Sequence, residues 1–133
     1  MIEVLKKIMT SDYANFSGRL RRRDYWMFVL LVAAVFAVLW LLFREALANG
    51  SSTSSDVVLL VGHILVIGLL IPVISSTVRR LHDTGKSGLF ALIGVIPIVG
   101  QAAVLVLGMF PGVVGANKYG PDPKAAGAAA VEG

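Results

Sequence analysis

Uncharged apolar residues occupy three long stretches of the chain, separated by short polar segments. The stretches are residues 25–43, 57–78 and 89–110, and they contain 19, 22 and 22 residues. Because an α-helix rises about 1.5 Å per residue, each stretch is long enough to cross a hydrocarbon core of about 30 Å. The pattern predicts an all-α membrane protein with three transmembrane helices in a single domain of residues 1–124. Residues 125–133 are rich in alanine and glycine and predict a disordered tail.

The third stretch allows two interpretations. Pro97 lies in its middle, between Gly94 and Gly100. Proline removes a backbone donor and kinks a helix, so a kinked third span is the first interpretation. The alternative is a re-entrant hairpin, because the arms 89–96 and 101–110 are each too short to cross a bilayer.

The first nine residues predict a short amphipathic helix. Their apolar side chains fall on one helical face, with Lys6 and Lys7 off it. A basic amphipathic helix suits the surface of an anionic membrane, so we expect an interfacial helix here or, equally, a frayed terminus.

Composition agrees with a membrane location, and the distribution of charge predicts an orientation. Of the 133 residues, 56% are hydrophobic and only 15% are charged, with a mean hydropathy of +0.81. Lysine and arginine are concentrated in residues 1–24 and 79–88 and are sparse in residues 44–56. Basic residues beside short spans stay on the cytoplasmic side. Three crossings would therefore place the N-terminus in the cytoplasm and the C-terminus on the periplasmic or extracellular side.

The segment RRLHDTGKSG, residues 79–88, carries the densest polar chemistry. Its Gly-Lys-Ser is not a phosphate-binding loop, because the earlier glycine of that motif would fall at Arg80. His82 and Asp83 are adjacent on a helix and point in different directions, so they do not form a catalytic pair by proximity. The chain has no cysteine, which excludes disulfides and argues against a zinc site. We therefore expect no enzyme, no metal and no cofactor.

Two interpretations of this segment remain. It is a helix end, in which Arg79 and Arg80 pair with Asp83 at helical spacing, followed by a turn. Alternatively, it meets the basic segment before the first span on the cytoplasmic face, and together they bind anionic lipid headgroups or a protein partner. The residues of this second interpretation are Arg19, Arg21, Arg22, Arg23, Arg79, Arg80, His82, Asp83 and Lys86.

His63 is the ionisable side chain deep within a predicted span. We expect it to hydrogen-bond across a helix interface, where Gly62 permits close approach, although such residues also carry protons or ligands. A small transporter or channel, built as a homo-oligomer, is therefore the alternative function. Nucleic-acid binding is not expected, because the RLRRR cluster adjoins Tyr25 and Trp26 at a span.

Three motifs in this order resemble a known family. They are FSGRLRRRDYW (residues 16–26), RRLHDTGKSG (79–88) and PGVVGANKYGPDP (111–123), which surround the three apolar stretches. The pattern is similar to the domain of unknown function 805 family, which implies a multi-pass protein of the bacterial inner membrane without an established activity. Leu89 and Phe90 are a mild departure, since aromatic residues often follow the Ser-Gly in that family. Under three crossings, the third motif would lie across the membrane from the other two.

Overall fold

The computed structural model describes residues 2–50 and 52–125, and within them every regular element is helical. The elements are α1 (Ile2–Met9), α2 (Arg22–Ala48), α3 (Ser52–Asp83), a 3-10 helix (Gly88–Val95) and α4 (Val99–Met109). The predicted tail lies, apart from Ala125, outside the described residues.

Helices α2 and α3 form a long antiparallel hairpin. They have 27 and 32 residues, so they are about 40 and 48 Å long. The connection contains Asn49 and Gly50, and Gly50 has a φ of 64°, a conformation that glycine adopts without strain. The first two predicted spans are thus each a single helix of membrane-crossing length.

The apolar parts of this hairpin are open to the surroundings. The most apolar 18-residue stretches of α2 and α3 have mean hydropathies of 2.8 and 2.9, and only 6% of each is buried. Helices that form the core of a soluble protein are mostly buried, so these surfaces require an apolar solvent.

Burial is concentrated at the other end of the hairpin. Ile8 of α1 packs with Leu20, Tyr25 and Phe28, and α3 is enclosed at most positions from Pro72 to Asp83. We call residues 2–28, 72–87 and 110–125 the head, and residues 29–71 the long hairpin. The predicted N-terminal helix is present, and its apolar face packs against α2.

Pro72 shows how the head joins the long hairpin. As a proline it cannot donate to the carbonyl of Gly68, four residues earlier. The hydroxyl of Tyr13 donates to that carbonyl instead, at 2.5 Å, and the Ser75 hydroxyl donates to the Tyr13 carbonyl at 3.1 Å. The segment after α1 thus satisfies the backbone group that the proline leaves free.

The third apolar stretch does not form the continuous kinked span of the first interpretation. The 3-10 helix ends at Val95, and the chain reverses through Pro97 and Ile98, where Ile98 has a φ of 63°. A Cβ on Gly100 would lie 1.8 Å from the Ile93 carbonyl oxygen, so only glycine permits this packing. We call residues 88–109 the short hairpin; its geometry matches the re-entrant alternative.

Candidate functional site

The carboxylate of Asp83, at the end of α3, lies between two guanidinium groups. Arg19 Nε donates to Asp83 Oδ1 at 3.0 Å, and Arg80 Nη1 donates to Oδ2. The side chains of Arg19 and Asp83 are 1% and 3% exposed. We call these three residues the Arg–Asp cluster. Buried charges are stable only when they are paired and hydrogen-bonded, and this geometry provides both.

Arg80 connects the cluster to two distant segments. Its Nε donates to the Gly108 carbonyl at 3.0 Å, Nη1 donates to the Leu20 carbonyl at 3.3 Å, and Nη2 donates to the Phe110 carbonyl. The residue is 1% exposed. A single guanidinium therefore joins the end of α4 and the segment before α2 to α3.

Arg19 makes the corresponding connection to the segment after α4. Its two terminal nitrogens donate to the carbonyls of Val113 and Gly115, and the Val113 amide donates to the Asp83 carbonyl at 2.8 Å. A Cβ on Gly112 would lie 2.2 Å from Asp83 Oδ2, so glycine is required at this contact. The third motif is thus packed directly onto the second.

His82 completes the contact among the three motifs. Its Nδ1 lies 3.2 Å from the Gly18 carbonyl, and its ring stacks on Tyr119 with centroids 3.8 Å apart. The side-chain amide of Asn117 donates to the backbone carbonyl of His82 at 2.9 Å. His82, a predicted binding residue, is half-buried between two segments of the head.

Arg79 is held by a different carboxylate. Its Nη1 donates to Asp12 Oδ2 at 2.7 Å, and its Nε and Nη2 are buried without a partner among the described residues, as is the Ser76 hydroxyl. Burial of Asp12 disfavours its charged form, but hydrogen bonds from Asn15 and Arg79 outweigh it. The pKa of the Asp12 carboxyl is therefore below its ordinary value of 3.8.

Four residues of the headgroup-binding interpretation are paired within the chain. Arg19, Arg79, Arg80 and Asp83 are bound within the chain and do not form an exposed surface. The helix-end interpretation also needs revision, because Arg79 pairs with Asp12, leaving Arg80 as the helical partner of Asp83. Sequence spacing identified the chemistry of the segment but not which side chains remain accessible.

Four cations of the head border a cleft beside the Arg–Asp cluster. The cleft has a volume of about 200 Å³ and is lined by Arg21, Arg22, Arg23, Asp83, Pro111, Gly112 and Lys124. We call it the cationic cleft. Both oxygens of its single carboxylate already accept from Arg19 and Arg80, so the net charge of the lining is positive.

Lys124 was missed by sequence reasoning. Lys124 follows Arg21, Arg22 and Arg23 by about a hundred residues in the sequence. Only its positive charge indicated that it could belong to the same site. Lys86, by contrast, lies 6.0 Å above the Phe110 ring and does not line the cleft.

His63 lies in the long hairpin, away from the head. Its Nδ1 is 2.7 Å from the Leu59 carbonyl of its own helix, and the side chain is exposed. A Cβ on Gly62 would meet no atom within 4 Å. The expected hydrogen bond from His63 across an interface within the chain is therefore not formed.

The fold and its exposed apolar helices define an α-helical membrane protein with a compact polar head. A family model described as "Protein of unknown function (DUF805)" matches residues 13–121, and the chain belongs to that family. The matched region includes all three members of the Arg–Asp cluster and excludes α1 and Lys124.

Curated relatives support the same class. The chain is 36% identical over 116 residues to the inner membrane protein YhaI of Escherichia coli K12, covering 85% of this chain and 89% of the relative. It is 35% identical over 113 residues to the inner membrane protein YhaH of the same strain, covering 85% and 90%. It is 32% identical over 133 residues to the uncharacterized protein YiiR, covering 81% and 85%. No solved structure matches the chain.

Proposed function

We propose that this protein is a two-span module of the inner membrane whose head lies on the cytoplasmic side and binds anionic lipid headgroups in the cationic cleft. The observation that carries the proposal is the grouping of four cationic side chains around one cleft whose only carboxylate is already neutralised. In this role the Arg–Asp cluster is a rigid support for the cleft.

The distribution of charge supports the orientation. Eleven of the twelve lysines and arginines belong to the head, and only Arg44 lies near the turn of the long hairpin. Basic residues near spans are retained in the cytoplasm. The head is therefore cytoplasmic, and residues 111–125 lie with it, in contrast to the periplasmic C-terminus that three crossings implied.

The short hairpin supports a position at the inner leaflet. The eight residues of its 3-10 helix rise about 16 Å, roughly half of the hydrocarbon thickness. Its tip is apolar and exposed: Val95, Ile98 and Val99 are 78%, 81% and 71% accessible. We propose that this tip enters the inner leaflet and turns back.

The surroundings of the cleft favour a lipid over a soluble anion. Arg22 and Arg23 begin α2, so the apolar part of that helix starts within one turn of them. Met109 and Phe110 lie just before Pro111 of the cleft, and at least half of the surface of each is exposed. A ligand with a phosphate group and an acyl chain matches this combination of charged and apolar surface.

The experiment compares photo-crosslinkable phosphatidylglycerol with phosphatidylcholine in vesicles containing the purified protein. Each cation near an anionic headgroup contributes about 1 kcal/mol, so replacing Arg23 and Lys124 with glutamine should reduce phosphatidylglycerol labelling about tenfold or more. The matched control replaces Lys6 and Lys118, exposed head cations outside the cleft, and should reduce labelling much less. Equal losses in the two variants, or equal labelling by both lipids, would exclude a specific site.

The proposal includes no catalytic step. The carboxylate of Asp83 is fully engaged by arginines, and the ring of His82 is held between Gly18 and Tyr119. These groups stabilise contacts between segments of the head.

A further inference from the structure

The long hairpin has a groove on one side, far from the head. Its two helices approach each other near the connecting turn, where Ala46 and Ser55 are buried, and again at the head. Between these contacts lies an open groove of about 290 Å³, whose lining includes Phe36, Trp40, Phe43, Gly62 and His63. Apart from His63 and the indole of Trp40, the side chains of this lining are apolar.

His63 presents a hydrogen-bond acceptor in this groove. The Leu59 carbonyl can only accept, so the Nδ1 of His63 that lies 2.7 Å away is the protonated nitrogen. In the neutral imidazole, Nε2 is then an acceptor. No donor for it is provided by residues 2–50 and 52–125. An acceptor without a donor is unfavourable in a lipid environment.

Trp40 presents the matching donor at the same depth. Trp40 of α2 lines the same groove as Gly62 and His63 of the antiparallel helix α3. The indole of Trp40 can only donate, and the part of the chain that the structure describes offers its N–H no acceptor. Trp40 is 66% exposed. One groove thus contains one unused donor and one unused acceptor.

We propose that this groove is an interface between two copies of this chain, related by a two-fold axis. Under such symmetry, Trp40 of each copy donates to His63 of the other, so two equivalent hydrogen bonds satisfy all four polar groups. An acyl chain offers neither donor nor acceptor and would leave both unsatisfied. The inference is independent of headgroup binding, because the groove and the cationic cleft lie at opposite ends of the molecule.

Gly62 supplies the second observation. Nothing within the chain lies within 4 Å of a Cβ at this position, so packing inside the chain does not require glycine. Small residues on membrane helices allow a neighbouring helix to approach closely. The open space above Gly62 is therefore where the helices of the second copy would come closest.

Cysteine crosslinking in native membranes tests the interface directly, because the chain contains no cysteine of its own. Gly62→Cys should form a disulfide-linked dimer on mild oxidation. Ile64→Cys is the matched control, since Ile64 is exposed at nearly the same depth but does not line the groove. We expect at least fivefold less dimer from this control. Equal crosslinking of the two variants, no crosslinked dimer, or a crosslink to a different protein would overturn the proposal.

Measured dimerisation in vesicles tests the hydrogen bonds. Trp40→Phe and His63→Leu should each weaken dimerisation about tenfold, because either change removes both symmetric bonds at once. The double variant should be no weaker than either single variant. Additive losses, or a chain that stays monomeric at every lipid-to-protein ratio, would contradict the interface. Trp40→Phe is a conservative change at an exposed position. Its dimerisation therefore still tests the interface if His63→Leu disturbs the fold.

Discussion

At the scale of single residues, Asp83 has the greatest influence on the head. Its two carboxylate oxygens accept from Arg19 and Arg80, and its backbone carbonyl accepts from Val113. The two arginines in turn donate to backbone carbonyls at the end of the short hairpin and in the segment after it. A change at this position therefore affects three segments together.

Asp83→Asn should destabilise the head strongly. It leaves two buried guanidinium groups without a countercharge, a change that costs about 3–5 kcal/mol in buried ion pairs. Thermal unfolding in detergent should show a large decrease in midpoint. The control Asp56→Asn removes an exposed carboxylate near the turn of the long hairpin and should have little effect. Similar midpoints for both variants would show that the cluster contributes little stability.

Asp12 predicts a dependence on pH that belongs to the same scale. Its pKa is lower in the folded protein than its ordinary value of 3.8, so its contribution to stability is fully present above that pH. The contribution should be lost as the pH falls from about 3.8 through the lower folded pKa. The difference in unfolding midpoint between the native chain and Asp12→Asn should therefore shrink towards zero on acidification. A difference that stays constant from pH 7 to pH 2 would show that the pair with Arg79 has no role.

At the scale of elements, the short hairpin departs most from a sequence-based expectation. Its length and hydropathy are those of a span, yet Pro97 and the tight contact of Gly100 with the Ile93 carbonyl reverse the chain. Residues of both arms contact the head: Gly88 lies beside Val78 and His82, and Gly108 lies beside Tyr25. Length alone does not distinguish a span from a hairpin.

Cysteine scanning of the short hairpin checks its insertion. A polarity-sensitive fluorophore on Ile98→Cys should report an apolar environment and should be quenched by lipids spin-labelled on their acyl chains. The same fluorophore on Ala116→Cys, an exposed position after α4, should report water. An Ile98 label that reports water, or that acyl-chain spin labels do not quench, would contradict insertion of the tip.

At the scale of the whole molecule, all three motifs meet in the head. Residues 16–26, 79–88 and 111–123 meet through the Arg–Asp cluster, the stack of His82 on Tyr119 and the bond from Asn117. Both ends of the described chain lie in the head, at the same end of α2 and α3.

Labelling of intact cells tests this arrangement. An impermeant thiol reagent should modify Thr53→Cys, at the start of α3 beside the turn of the long hairpin, and should reach Ala116→Cys only after lysis. Both positions are exposed, so accessibility within the protein is matched. Labelling of Ala116→Cys in intact cells would instead support three crossings, with the C-terminal segment outside the cytoplasm.

Sequence alone was enough to identify the apolar runs, the turn at Asn49 and Gly50 and the concentration of arginine before the first run and after the second. These follow from local properties, because the hydrophobic length of a segment and the conformational freedom of glycine need no distant partner. The tertiary structure alone decided that Arg80 is buried, that the third run turns back and that Lys124 joins the cationic cleft. Arg80 can be buried only because the carbonyls of Leu20, Gly108 and Phe110 converge on it, and no local pattern in the sequence encodes that convergence.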